Sequence, residues 1–228
     1  MESISNAYNC DCMDFMHGLE DKHFSLAIAD PPYEIGTRQV DKRKSSYKGA
    51  GKLRGRILNQ SAEKFQRWDK APGKEFFDEL FRVSDNVIIW GGNYFDLPPT
   101  RCFVCWDKVQ PWQNFSQCEY AWTSFDKPAK LFRWDNRRGG KTHPTQKPVE
   151  LYAYLLKTFA EKGDVIFDPM MGSQSSRIAA YRLGFDYYGC EIDKEYFDQG
   201  CERFRSECLG EVKLEGGGIA KQLTIFEE

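Results

Sequence analysis

Asp30-Pro31-Pro32-Tyr33 places an acid, two rigid prolines and an aromatic ring directly after the apolar run Phe24–Ala29. That run is short and bounded by turn formers, which predicts a buried strand. Ligands of open α/β sheets bind outside the carboxyl ends of strands, where this tetrapeptide would sit. It offers a carboxylate acceptor, a carbonyl next to a residue without an N–H, and a flat stacking surface. Such a set suits a planar base that bears an amino group. Asp-Pro and Pro-Pro are also common turn dipeptides, so a plain strand-to-turn exit accounts for the same residues.

A second constellation is Phe167-Asp168-Pro169-Met170-Met171-Gly172-Ser173, between a predicted strand over 164–167 and a predicted helix over 173–183. The turn would set backbone N–H groups and a helix N-terminus beside a strand end, a place that favours a carboxylate or phosphate. A further strand, Tyr187–Cys190, leads to Glu191, 23 residues after Asp168. An acid about 20 residues on typically accepts hydrogen bonds from a ribose. Strand, tight turn, helix, strand and acid read as a nucleoside-cofactor half. The turn has only Gly172 in place of a G-x-G-x-x-G run, which argues against a dinucleotide. An ordinary βαβ unit with an acid at a strand end is the other reading.

The elements that must hold these residues alternate between strand and helix, which predicts a layered α/β fold. Lys74 to Ser84, with Phe76, Phe77, Leu80 and Phe81 on one face, reads as an amphipathic helix. Asn86–Trp90 reads as a strand stopped by Gly91-Gly92-Asn93, and strands are also predicted over Cys102–Trp106 and Glu119–Ser124. The stretch 132–141 looks irregular and basic. A helix is expected from about Pro148 to Glu161, with proline in its first turn. The helix over 173–183 is expected to end at Gly184, where a left-handed cap suits glycine. The last helix spans 194–207. From 210 onward the glycine-rich run Gly216-Gly217-Gly218 predicts a flexible tail.

At 228 residues the chain fits one domain, predicted over 1–209, with length enough for a substantial core. No apolar stretch approaches a membrane span, and the first residues lack a signal-peptide pattern, so a soluble cytoplasmic protein is expected. The eight cysteines are expected to be reduced thiols. Cys102 and Cys105 have zinc-ligand spacing, but no second pair completes a tetrahedral set, and no metal is expected.

The formal net charge is −2, but it is segregated. From Arg38 to Lys70 there are eleven bases and three acids, a net +8, which leaves −10 for the rest of the chain. The bases include Arg38, Lys42, Arg43, Lys44, Lys48, Lys52, Arg54 and Arg56, within a weakly periodic span, 34–73, that reads as an insert. A basic insert on an acidic body points to a polyanion partner, while a solvated lysine-rich loop fits the composition equally.

Taken in order, Asp30-Pro31-Pro32-Tyr33, then His143-Pro144-Thr145-Gln146-Lys147-Pro148, then Phe167–Ser173, the chain resembles the beta class of amino-DNA methyltransferases. Asn9-Cys10-Asp11-Cys12, Trp90-Gly91-Gly92-Asn93 and Cys190-Glu191-Ile192-Asp193 add to the resemblance, which spans roughly 8–207. It implies a single-domain, Rossmann-like, S-adenosylmethionine-dependent fold with a circularly permuted motif order, the catalytic motif preceding the cofactor motif. It also implies DNA methylation of the restriction–modification kind.

By matched position, the resemblance gives Asp30, Pro31, Pro32 and Tyr33 to the flipped base. It gives Asp168, Met170, Gly172 and Ser173 to the cofactor pocket and Glu191 to the ribose hydroxyls. Asp11 and Cys12 would lie by the cofactor adenine, with His143, Thr145 and Lys147 at its methionine end. Asp30 also borders the cofactor in this reading. The leading Asp favours adenine N6, because cytosine-N4 members of the family usually carry Ser there. N4 of cytosine is the alternative, and a DNA-binding module of the same fold without turnover is another. The chain departs from the pattern in two places: Met170 stands where Phe is usual, and Gln174-Ser175-Ser176 replaces Gly-Thr-Thr.

The partner implied is double-stranded DNA, contacted by the basic insert and by Arg133, Arg137, Arg138 and Lys141. Trp112, Gln113, Asn114 and Gln117 could add base contacts, although Trp112 suits core packing as well. Gln222-Leu223-Thr224-Ile225-Phe226 resembles the pentapeptide by which bacterial DNA-processing proteins dock on the replication sliding clamp, with Gln222, Leu223, Ile225 and Phe226 as anchors. A last strand on the sheet is the other reading of that segment. Either a monomer or a homodimer is compatible with the sequence.

Overall fold

The computed structural model describes residues 3–34, 70–110, 116–135, 146–213 and 218–221. The strands are β1 (Ser5–Tyr8), β2 (Phe24–Ala29), β3 (Ser84–Trp90), β4 (Phe103–Asp107), β5 (Cys118–Thr123), β6 (Lys130–Arg133), β7 (Val165–Asp168), β8 (Asp186–Cys190), β9 (Glu211–Lys213) and β10 (Ile219–Lys221). The helices are α1 (Cys12–His17), α2 (Lys74–Val83), α3 (Val149–Phe159), α4 (Ser175–Leu183) and α5 (Lys194–Leu209).

Eight strands form one sheet in the order β1-β8-β7-β2-β3-β5-β4-β6. The five from β1 to β3 run parallel, and β5 is antiparallel to both β3 and β4. A parallel sheet needs cover on both faces, which explains why β2 is almost wholly apolar and buried. Successive side chains alternate between faces. Leu26, Ile28, Ile88 and Trp90 therefore join one core layer with Leu151, Leu155 and Ile178 of α3 and α4. Ala27, Ala29, Val87 and Ile89 join the other, with Met16, Phe76, Phe77 and Leu80 of α1 and α2. Phe24 and Phe167 stack across β2 and β7 with ring centroids 4.4 Å apart.

The order of motifs along the chain is resolved by the sheet. β2 enters before the cofactor-type strands but lies beside β7, so Asp30, just after β2, and Asp168, the last residue of β7, sit at adjacent strand ends despite their separation in sequence. This is the permuted α/β arrangement the resemblance implies.

Several elements differ from the sequence reading. Ser5–Tyr8 and Lys130–Arg133 are strands, the latter within a region read partly as irregular. They are the two edges of the sheet, formed through pairing with β8 and β4. Short polar edge strands carry little periodic signal of their own. α1 has too little sequence signal to predict, since it is only six residues long; it is capped by the Asp11 carboxylate. Pro148 caps α3 from an extended conformation and is not in its first turn. Within the expected flexible tail, β9 and β10 pair antiparallel.

α4 begins at Ser175, two residues later than expected, because the turn before it uses left-handed backbone at Gly172 (φ +45°) and Gln174 (φ +59°). For Gln174 that conformation is unusual. Its side chain is fully buried, donates to the Phe197 carbonyl (3.3 Å) and accepts from Arg177 (3.0 Å). Gly200 on α5 makes the space: a Cβ there would fall 2.6 Å from Gln174 Cγ. Gly200→Ala is expected to lower unfolding free energy by about 1–3 kcal/mol, the usual cost of overpacking. The loss should shrink in a Gln174→Gly background; urea melts of the two single variants and the double variant check this. Equal losses in both backgrounds would contradict it.

Candidate active site

The carboxyl ends of β2, β3, β7 and β8 carry the residues that the sequence singled out. Asp30 follows β2 and Tyr33 folds back over it, donating its hydroxyl to Asp30 Oδ1 at 2.5 Å. Asp30 Oδ2 is paired with the Lys147 ammonium. Lys147 directly precedes the Pro148 cap of α3, and its side chain is 5% exposed. Its ammonium also meets Glu119 Oε2 of β5 at 3.3 Å and the Tyr33 hydroxyl at 3.4 Å. The Trp90 ring lies beneath, 5.2 Å from the ammonium to its centroid. The other oxygen of Glu119 is paired with Lys108.

The electrostatics follow from this arrangement. Burial alone would lower the pKa of Lys147, but the Asp30 and Glu119 carboxylates outweigh it and hold the ammonium above its usual value. Burial would raise Glu119, and the two lysines outweigh it and hold this carboxyl below its usual value. The Tyr33 phenol is pushed up by burial and by the neighbouring Asp30 carboxylate, so it stays protonated and donates.

The Tyr33 ring is closely packed. Tyr94 stacks on it with centroids 5.1 Å apart and 18° between planes, and Phe95 meets it edge-on. Gly91, at φ +66°, is pressed so close that a Cβ would fall 2.2 Å from Tyr33 Cε1. Only glycine can turn the chain here and leave room for the ring. Tyr94 itself is 51% exposed.

On the other side of β2, the turn after β7 is held by Asp168. This carboxylate is buried; Oδ1 accepts from the Met170 N–H (3.0 Å) and Oδ2 from the Ser176 hydroxyl (2.5 Å). Ser176 also contacts the Tyr187 hydroxyl at 3.0 Å. Glu191, after β8, accepts from the backbone N–H groups of Gly172 (3.0 Å) and Asp193 (2.8 Å), one on each oxygen. A carboxylate has about four lone-pair sites, so each oxygen keeps capacity for a hydroxyl. Open space faces Gly172, where a Cβ would meet nothing within 4 Å. Next to Glu191, Ile192 is 68% exposed and offers an apolar surface. An acid for a diol, an apolar patch and an open turn fit a nucleoside-bearing cofactor. Met170 and Ser173 are partly buried in the same turn.

Asp11 lies at the surface and spends one oxygen capping α1 through the Met13 N–H (2.8 Å). Cys12 is buried, and burial pushes its thiol up to about 12, so it is not a thiolate. All eight cysteines are free. Among the described residues, no group of His, Cys, Asp and Glu could hold a metal ion, and no helix is long and apolar enough to cross a membrane. Arg133 is paired with Asp107 at 2.9 Å. His143, Thr145, Arg137, Arg138 and Lys141 lie outside the described residues, as do Trp112, Gln113 and Asn114. So do Arg38, Lys42, Arg43, Lys44, Lys48, Lys52, Arg54 and Arg56 of the basic insert, and Gln222, Leu223, Ile225 and Phe226 of the tail.

The sequence reading missed Glu119, Lys108, Ser176 and Tyr187 as parts of this region. From the sequence, Glu119 reads only as the start of a strand. Nothing local marks it, since its importance comes from facing Lys147 across the fold.

A family model described as DNA methylase matches residues 60–202. The chain is 23% identical over 246 residues to the type II methyltransferase M2.MboI of Moraxella bovis, covering 87% of each protein. It is 28% identical over 141 residues to the type II methyltransferase M2.DpnII of Streptococcus pneumoniae, covering 61% of this chain and 50% of that protein. Two solved structures share the fold. The PvuII DNA methyltransferase, which is cytosine-N4-specific, superimposes with a TM-score of 0.58 at 15% identity, over 89% of this chain and 87% of that one. TTHA0409 of Thermus thermophilus, solved with S-adenosyl-L-methionine, gives 0.56 at 18% identity, over 91% and 96%.

Asp168 has a consequence that can be measured. Burial, opposed by its two hydrogen bonds, pushes its carboxyl from 3.8 up to about 7. The folded state therefore holds a proton that the unfolded chain releases, and stability is lost as pH rises through about 7. Between pH 6 and 8 the wild type should lose about 1 kcal/mol, or about 2–4 °C of melting temperature, relative to Asp168→Asn. Parallel melting curves for the two proteins would contradict this protonation state.

Proposed function

The chain belongs to the DNA methylase family, and from that premise we propose that it transfers a methyl group from S-adenosylmethionine to N6 of an adenine turned out of double-stranded DNA. The observation that carries the reading is the convergence of Asp30 and Tyr33 with the Asp168 turn and Glu191 at neighbouring strand ends. Glu191, Gly172, Met170, Ser173 and Ile192 would hold the cofactor, and when bound it supplies a methyl already activated by its sulfonium. Asp11 and Cys12 border that pocket in the same reading, with His143 and Thr145 at its methionine end; Lys147, which the resemblance put there too, spends its three N–H groups on Asp30, Glu119 and Tyr33.

The protein's own work is then to position and desolvate the nucleophile. The exocyclic amine of a base is weakly nucleophilic because its lone pair is delocalised into the ring. Hydrogen bonds from that amine to the Asp30 carboxylate and the Pro31 carbonyl favour a pyramidal nitrogen as the new bond forms. Tyr33 and Lys147 hold the Asp30 carboxylate in place, and Pro32 stiffens the turn. In this reading Tyr33 offers the base only the part of its ring that Tyr94 and Gly91 leave uncovered; the base must leave the helix because its amine is inaccessible within a paired duplex. Attack is direct, so no cysteine carries an intermediate. Phosphate contacts fall to the basic insert and to Arg137, Arg138 and Lys141; such contacts fix register without reading sequence.

Adenine is preferred because Asp leads the tetrapeptide. Cytosine N4 is the second reading, since the same hydrogen bonds serve either amine and the PvuII enzyme shares the fold. Methyl transfer from labelled S-adenosylmethionine to unmethylated DNA, followed by nucleoside mass spectrometry, tests the proposal. N6-methyladenine is expected, with a loss of about 10²–10³-fold in rate for Asp30→Ala, the range for one lost preorganised hydrogen-bond partner of the transition state. N4-methylcytosine would overturn the base assignment. Cofactor binding with no methylated base at all would favour a DNA-binding module without turnover.

A further inference from the structure

Lys147 presents three N–H donors, and all three have acceptors: Asp30 Oδ2, Glu119 Oε2 at 3.3 Å and the Tyr33 hydroxyl at 3.4 Å. Two of those acceptors belong to the tetrapeptide proposed to hold the base. The third, Glu119, lies on β5 and is separated from β2 in the sheet by β3. Glu119 is anchored in turn by Lys108, whose backbone follows β4 and whose side chain is 14% exposed. The four charged groups, Lys108, Glu119, Lys147 and Asp30, form an alternating row with no net charge.

An ammonium this deeply buried is held by every acceptor within reach, because an unpaired buried charge is costly. If Asp30 were the only carboxylate facing Lys147, it would carry the whole ion pair. It would then have less capacity to accept from an incoming amine. Glu119 takes up part of that interaction. Resting on the methyl-transfer reading above, we propose that Glu119 is a positioning residue: it shares Lys147 with Asp30, so that the ammonium orients the Asp30 carboxylate and leaves it free to accept from the base amine. Glu119 touches neither base nor cofactor in this scheme and acts through Lys147.

Glu119→Gln keeps the size and one acceptor oxygen and removes the charge. In full-length protein, with unmethylated DNA and S-adenosylmethionine both saturating, kcat is expected to fall by about 10-fold or more, within the range that small misplacements cost. KM for S-adenosylmethionine should stay within about twofold, since Glu191 and the Asp168 turn are untouched. In a Lys147→Gln background, Glu119→Gln should add almost nothing, because the residue through which it acts is gone. A kcat within about twofold of wild type, or losses that multiply in the double variant, would overturn the proposal. If Glu119→Gln does not fold, Lys108→Gln takes its place, removing the anchor of Glu119. A severalfold fall in kcat at unchanged KM is then expected, and an unchanged kcat overturns the proposal. Wild-type protein that methylates no DNA would refute the functional reading itself, whereas an active wild type beside an equally active Glu119→Gln refutes only the positioning role.

Discussion

The Lys147 ammonium lies where water scarcely reaches, and the carboxyl edge of the sheet is arranged around it. Moving such a charge out of water costs several kcal/mol unless each donor finds an acceptor. Here the acceptors come from the turn after β2 and from β5, with the Trp90 ring of β3 packed beneath. One side chain therefore ties three strands together at the point where Asp30 must be held still. A partial version of this cluster would be worse than none, because removing one partner leaves a buried charge unpaired.

Two buried carboxylates at the same sheet edge shift in opposite directions, and the difference is one of neighbours. Glu119 faces two lysines and is held in the ionised form. Asp168 faces only neutral donors, the Ser176 hydroxyl and the Met170 N–H, and burial prevails. The charged row lies on the side of the tetrapeptide. The neutral network of Asp168, Ser176 and Tyr187 lies on the side of the turn that leads to Glu191. The first fixes a carboxylate that must remain available to a ligand; the second fixes a backbone turn.

That turn departs from the family pattern at Gln174, and the structure shows how the change is accommodated. The position requires a left-handed backbone, which glycine adopts without cost and glutamine does not. Gln174 spends its amide on α5 and on Arg177, and Gly200 leaves it room. The α4 start is therefore secured by side-chain contacts in place of a flexible glycine.

Much was legible in the sequence itself. The buried interior strands announced themselves by apolar runs, because a strand covered on both faces has no polar alternation to preserve. The acids at their carboxyl ends followed from the same pattern, as did Gly184, whose left-handed cap ends α4. The edge strands β1 and β6 were hidden because their order comes from pairing with β8 and β4. Glu119 was hidden for a related reason: a single acid near the start of a strand has no periodic or motif signal. Local chemistry determined which strand ends carry acids, rings and glycines. Only the tertiary structure decided which of those groups meet, because a buried charge selects its partners by proximity in space, and sequence spacing does not encode that proximity.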